Sequence, residues 1–185
     1  MTKRAFIIHG FEGNSKDCWI PWLKKSLNSS GLKTESLKMP SPNNPKLKDW
    51  IKKISESVIK PDSNTYLIGH SLGCISILRY IESLNDKDKV GGCVLVAGFI
   101  QSLNIKEIDE FTEGPLNINK INNICKDIVQ INSDNDEEIT LKSAKDMSKK
   151  IKSKLIVEKG KGHFDDYAKV FELPSALNEI KRMII

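Results

Sequence analysis

The stretch Thr65-Tyr66-Leu67-Ile68-Gly69-His70-Ser71-Leu72-Gly73-Cys74 decides how the rest of the chain is read. A run of β-branched, aromatic and aliphatic residues breaks at Gly69 and resumes with helical spacing, the pattern of a strand, a sharp turn and a helix. Ser71 falls at the turn. Glycines on either side of it leave room for a strained backbone and for close packing, and the turn pushes the serine hydroxyl out above the sheet edge. A helix beginning at Leu72 aims its unpaired N–H groups and positive dipole end at any negative charge that develops beside the serine. A Gly-x-Ser-x-Gly in this setting is a nucleophile elbow, and the remaining chain has to supply a base and an acid.

On the N-terminal side, Arg4 to Ile8 reads as a buried parallel strand ending at His9-Gly10, with a loop through Ser15. Trp19, Trp22, Leu23 and Leu27 recur at helical spacing up to Gly31, and Pro21 is tolerated in a first turn. A short strand follows near Thr34 to Lys38. Pro40, Pro42 and Pro45 then make a turn-rich loop, because prolines at this density support neither a helix nor a central strand. Leu47, Trp50, Ile51, Ile54 and Val58 mark the next helix, and Asn64 to Ile68 the strand that feeds the elbow. Leu72, Ile75, Leu78 and Ile81 give the helix behind it an apolar face.

On the C-terminal side, Gly91 to Gly98 is a buried strand. Residues 99–123 read as loop with one or two short helices, where a substrate-covering segment would fit. Ile128 to Ile131 and Leu155 to Val157 are strands separated by a helix carrying Leu141, Ala144, Met147 and Ile151. A final helix is expected from Asp166 to Ile185, interrupted at Pro174. Strands alternating with helices predict an α/β fold: a doubly wound, mostly parallel sheet of about six strands flanked by helices.

A chain of 185 residues with 39% hydrophobic and 29% charged residues fits one globular domain over residues 1–185. The net charge of +5 comes almost entirely from lysines interleaved with acids. Pairs such as Lys24-Lys25 and Lys149-Lys150 lack interleaved aromatics and read as solvated helix faces, which excludes a nucleic-acid surface. The short apolar run after Arg4 is neither a signal segment nor a membrane span, so a cytoplasmic protein without membrane contact is expected. Cys18, Cys74, Cys93 and Cys125 are widely spaced, fit free thiols in a reducing compartment, and form no metal site with a histidine.

Function in parallel sheets gathers at the carboxyl ends of the strands, and His9-Gly10-Phe11, Ser71, Asp136 and His163 each follow a predicted strand. A serine hydroxyl needs an imidazole to take its proton, and the imidazole needs a carboxylate to fix its tautomer. His9 lies in the first loop and His70 diverges from the serine beside it, which leaves His163 as the base. Asp136 is the favoured acid because Ile139, three residues on, can anchor the returning chain, with Asp134 as the alternative. The tetrahedral oxyanion needs backbone donors, for which Leu72 and Phe11 are placed. Gly10, Phe11, Leu72 and Phe164 are expected to touch substrate. Their apolar character suggests small, uncharged acyl groups.

These residues resemble the small α/β-hydrolases of the YdeN and retinoblastoma-binding-protein-9 type. The likeness runs from His9-Gly10-Phe11, Trp19 and Pro21-Trp22-Leu23, through Met39-Pro40 and Asp49-Trp50, to the elbow, Phe111-Thr112, Ser133 with Asp136, and Gly162-His163-Phe164. It implies a serine hydrolase without a large cap domain, acting on a small-molecule acyl substrate with Ser71, Asp136 and His163 as its triad. No cofactor is expected. One departure is that Glu137 and Glu138 follow the aspartate, where many relatives carry Pro and an aromatic. A non-catalytic binding protein of the same fold, or a small peptidase or acyltransferase, are the alternatives.

Overall fold

A computed structural model describes residues 2–185. Its strands are β1 (Arg4–Ile8), β2 (Lys33–Leu37), β3 (Thr65–His70), β4 (Gly92–Val96), β5 (Ile128–Ser133) and β6 (Lys154–Glu158). All pair in parallel in one sheet of order β2-β1-β3-β4-β5-β6. The helices are α1 (Ile20–Ser29), α2 (Leu47–Val58), α3 (Leu72–Ser83), α4 (Ile118–Ile124), α5 (Leu141–Ile151) and α6 (Pro174–Met183).

Side chains alternate between the two faces of a strand, so each strand feeds two apolar layers. Ala5, Ile7, Tyr66, Ile68, Val94 and Val96 pack with Leu23 and Leu27 of α1 and Ala176 and Ile180 of α6. Their neighbours Phe6, Ile8, Leu67, Cys93 and Leu95 pack on the other face with Trp50 of α2, Ile77 of α3, Ile121 of α4 and Met147 of α5. A fully buried Leu or Ile side chain contributes about 1.5–3 kcal/mol, and the central strands are buried on both faces for this reason.

The chain steps from β1 outward to β2 and then returns across β1 to β3. The sheet order therefore reverses between β1 and β3, which opens a crevice outside their carboxyl ends. The loop 9–19 and the elbow both enter it.

Two expectations are corrected. The final helix does not begin at Asp166: residues 166–173 are turns and irregular chain, and Pro174 opens α6. Proline lacks an N–H that the first helical turn would not use, while it drives the preceding residue out of helical geometry, and Leu173 has φ −135° and ψ 75°. Residues 99–123 do hold two short helical pieces, a 3-10 turn at Asp109–Phe111 and α4. They do not cover the serine. Arg79 of α3 donates to the carbonyls of Phe111 (3.0 Å) and Gly114 (2.9 Å), and Phe111 packs edge-on against Trp50, which fixes the segment over α2 and α3.

Candidate active site

Ser71 sits between β3 and α3 with φ 49° and ψ −114°, a conformation that costs an L-residue energy and persists only where its surroundings enforce it. Its N–H donates to the Val96 carbonyl at 2.9 Å. A Cβ at Gly69 would lie 2.8 Å from the Cys74 nitrogen, and one at Gly73 would lie 2.4 Å from the Ile8 carbonyl oxygen. Only glycine lets α3 pass this close to β1 and β3. Ser71 is 8% exposed, lines a cavity of about 310 Å³, and its hydroxyl has no hydrogen-bond partner among the described residues.

Phe11 lines the same cavity. The carbonyl of Gly10, one half of the Gly10–Phe11 peptide, accepts from His9 Nδ1 at 2.8 Å and from Gly13 N–H at 3.3 Å. His9 Nε2 accepts from Met39 N–H at 3.2 Å, which fixes the neutral tautomer, and burial lowers the pKa of His9 in keeping with that form. A trans peptide points its N–H opposite to its carbonyl, so His9 orients the Phe11 N–H away from itself. The N–H groups of Phe11 and Leu72 have no acceptor among the described residues.

His163 follows β6 and Asp136 follows β5. His163 Nδ1 lies 3.0 Å from Asp136 Oδ2, and the Asp136 side chain is fully buried. Asp136 Oδ1 accepts from the N–H groups of Glu138 and Ile139, both at 2.9 Å, so the backbone fixes the carboxylate. Asp134 has a different partner: its Oδ1 accepts from Gly160 N–H at 2.9 Å. Ser133 Oγ accepts from Lys161 N–H and Asn135 Oδ1 from Gly162 N–H, each at 2.9 Å. Four consecutive side chains of one loop are thus bonded to four consecutive residues of the other. Burial disfavours the His163 imidazolium, but the hydrogen bond and charge of Asp136, aided by Glu138 and Asp165, outweigh it and hold its pKa above the ordinary value.

His70 is tied to His163 rather than to the serine. Its Nε2 donates to the His163 carbonyl at 2.8 Å, and its ring packs edge-on against Trp19. Burial pushes its pKa down to about 4, which keeps it neutral.

Two residues expected to touch substrate turn inward. The Phe164 ring is fully buried with Val170 and Leu173, because Phe164 adopts φ 57° in a tight turn that sends its side chain away from that of His163. The Leu72 side chain is likewise in the core, which leaves its N–H as the group that can reach the cavity. The lining includes Gly10 and Phe11 as expected, but also Glu12, Asp17, Glu138, Asp165 and Asp166, which add negative charge to a lining that is otherwise largely apolar. These acids come from separate loops, so no local pattern in the sequence marks them. Among the described residues no group of three or more His, Cys, Asp or Glu could hold a metal ion, and no helix is long and apolar enough to cross a membrane.

A six-stranded parallel sheet with a serine elbow at its switch point is the architecture of the α/β-hydrolases. The Serine hydrolase family model matches residues 5–182, and the chain belongs to that family. It is 39% identical over 165 residues to YdeN of Bacillus subtilis (strain 168), named as a hydrolase, covering 89% of this chain and 87% of that one. It is 26% identical over 170 residues to the serine hydrolase RBBP9 of Rattus norvegicus, covering 88% of each. The crystal structure of the B. subtilis YdeN gene product superposes with a TM-score of 0.95 at 36% identity over 99% of both chains. Est1E of Butyrivibrio proteoclasticus shares the fold, with a TM-score of 0.76 at 19% identity over 99% of this chain and 88% of that one.

Proposed function

We propose that the protein hydrolyses small carboxyl esters through an acyl-enzyme on Ser71. His163 Nε2 takes the hydroxyl proton as Ser71 Oγ attacks the carbonyl carbon. Asp136 holds the imidazole with its proton on Nδ1 and stabilises the imidazolium that forms. The N–H groups of Phe11 and Leu72 receive the oxyanion, each worth about 2.7–4 kcal/mol of barrier in comparable sites. The tetrahedral intermediate collapses with loss of the alcohol, which takes its proton from His163. Water, deprotonated by the same imidazole, then attacks the acyl carbon, and the acid leaves as Ser71 regains its proton.

The observation that carries this reading is the pairing of His163 Nδ1 with a fully buried, backbone-held Asp136 carboxylate at 3.0 Å, on the wall of the cavity that Ser71 lines. The cytoplasm is the proposed location, since all four cysteines are free and three of them are buried.

A fluorophosphonate probe tests the nucleophile. Wild-type protein should be labelled at Ser71 and Ser71→Ala should not. Equal labelling of the two, or none of the wild type, would refute the assignment. Amide reporters cleaved at rates close to those of esters would favour a peptidase instead.

A further inference from the structure

The cavity that holds Ser71 is lined by five carboxylates, those of Glu12, Asp17, Glu138, Asp165 and Asp166, and by no lysine or arginine. That is a local reversal of sign in a chain with 29 basic and 24 acidic residues. The acids come from three loops: Glu12 and Asp17 between β1 and α1, Glu138 before α5, and Asp165 and Asp166 after His163.

Their charge is not neutralised by neighbours. Among the described residues Glu12, Asp17, Asp165 and Asp166 form no ion pair, and Glu138 approaches only His163, at 3.6 Å from Nε2. The hydrogen bonds they accept come from neutral groups: Asn14 to Asp17, Ala168 N–H to Asp165, and the Cys18 thiol to Asp166 at 3.4 Å. The negative field reaches the groups inside. Burial raises the pKa of the Cys18 thiol to about 12, with Asp166, Asp17 and Asp165 adding to the effect.

The same rim carries Tyr167, whose ring is 97% exposed next to Asp166. Carboxylates spread around an opening beside a free aromatic face suit a bulky organic cation, which the ring quadrupole and the carboxylates attract together. A bare metal ion would require converging ligands, and these residues do not form such a group. Ser71 is 8% exposed as a residue, and its hydroxyl, without a hydrogen-bond partner among the described residues, lines the same cavity.

We infer that the preferred substrates are esters bearing an ammonium group, drawn in by the acidic rim and Tyr167 so that the carbonyl meets Ser71. This rests on the esterase reading above and replaces the uncharged acyl groups suggested by the sequence with cationic ones. Anionic esters should be the poorest substrates.

The experiment compares shape-matched esters that differ in charge, at low ionic strength. On the alcohol side the pair is acetylcholine and 3,3-dimethylbutyl acetate. On the acyl side it is the p-nitrophenyl esters of 4-(trimethylammonio)butanoate and 5,5-dimethylhexanoate. The cationic member of at least one pair should have a kcat/KM about tenfold or more above its neutral partner. That ratio should fall toward unity in about 1 M NaCl, where the screening length is only about 3 Å. It should also fall in Glu12→Gln/Asp166→Asn, and p-nitrophenyl hemisuccinate should be slower than p-nitrophenyl acetate. Ratios at or below unity in both pairs, or a cationic preference that salt does not diminish, would overturn the inference. The salt series uses wild-type protein and does not depend on how the variant folds. If p-nitrophenyl acetate is hydrolysed in a Ser71-dependent way but charge makes no difference, only this inference fails. If no ester is hydrolysed through Ser71, the esterase reading fails with it.

Discussion

Asp136→Asn tests the acid–base assignment most sharply, because it changes charge and hydrogen-bonding sense at nearly constant volume. Asp136 Oδ1 already accepts from two backbone N–H groups at 2.9 Å, while Oδ2 faces His163 Nδ1 at 3.0 Å. An asparagine must keep its carbonyl oxygen on the two N–H groups, since the opposite flip would set its NH2 against two donors in a fully buried place. The NH2 then faces His163 Nδ1, which has to become an acceptor. The imidazole proton moves to Nε2, the nitrogen proposed to receive the serine proton. The same tautomer inversion in the serine-protease triad lowers kcat about 10⁴-fold. This corresponds to about 5.4 kcal/mol of barrier at 1.36 kcal/mol per tenfold.

The expected result is therefore a fall in kcat for p-nitrophenyl acetate of roughly 10³–10⁴, with KM little changed. Asp134→Asn is the control. Its amide oxygen can still accept from Gly160 N–H, so its kcat should stay within about threefold of wild type. Circular dichroism and thermal unfolding establish that both variants fold. An Asp136→Asn enzyme within tenfold of wild type, or a larger loss in Asp134→Asn, would refute the assignment.

Gly73→Ala should destabilise the protein by about 1–3 kcal/mol or more, read by urea unfolding, because its Cβ would meet the Ile8 carbonyl oxygen at 2.4 Å and both are backbone-fixed. The proposed base His163 can take a proton only when neutral, so kcat/KM should fall as the pH drops through its raised pKa. Glu138→Gln removes one of the charges that raise it and should move this acid limb to lower pH, whereas a limb that stays in place or moves up would contradict the assignment. His70→Phe leaves the partly buried His163 carbonyl without its donor and should cost about 1–3 kcal/mol of stability together with a drop in kcat. A pH–rate profile and a melting curve on the same variant separate the two effects.

The strands were legible because their apolar runs lie between turn residues, and β1 begins and ends at the residues the pattern indicated, Arg4 and Ile8. The same holds for α2 and α5, whose apolar periodicity is uninterrupted. Proline misled at Pro174, where a residue read as an interruption is the start of α6. Adjacency misled at Phe164, since neighbours in a left-handed turn diverge and only one of His163 and Phe164 can face the cavity. The acidic rim could not be read from the sequence at all. Asp17 and Asp166 are brought together by folding, and each looks like an ordinary surface acid in its own loop. The tasks of His9 and His70 were hidden for a related reason, because their partners are carbonyls whose orientation a sequence does not show.

The four bonds that lace residues 133–136 to residues 160–163 make the proposed acid and base a single body, while the serine belongs to another, fixed by β3 and α3. The bond from His70 to the His163 carbonyl joins the two bodies like a pin. Heating that loosens this end of the sheet should therefore disengage base and acid from the nucleophile together, with their own pairing intact. The amides of Gly160, Lys161 and Gly162 would then exchange their hydrogens in one concerted opening, and catalysis would be lost at that opening, before the sheet itself comes apart.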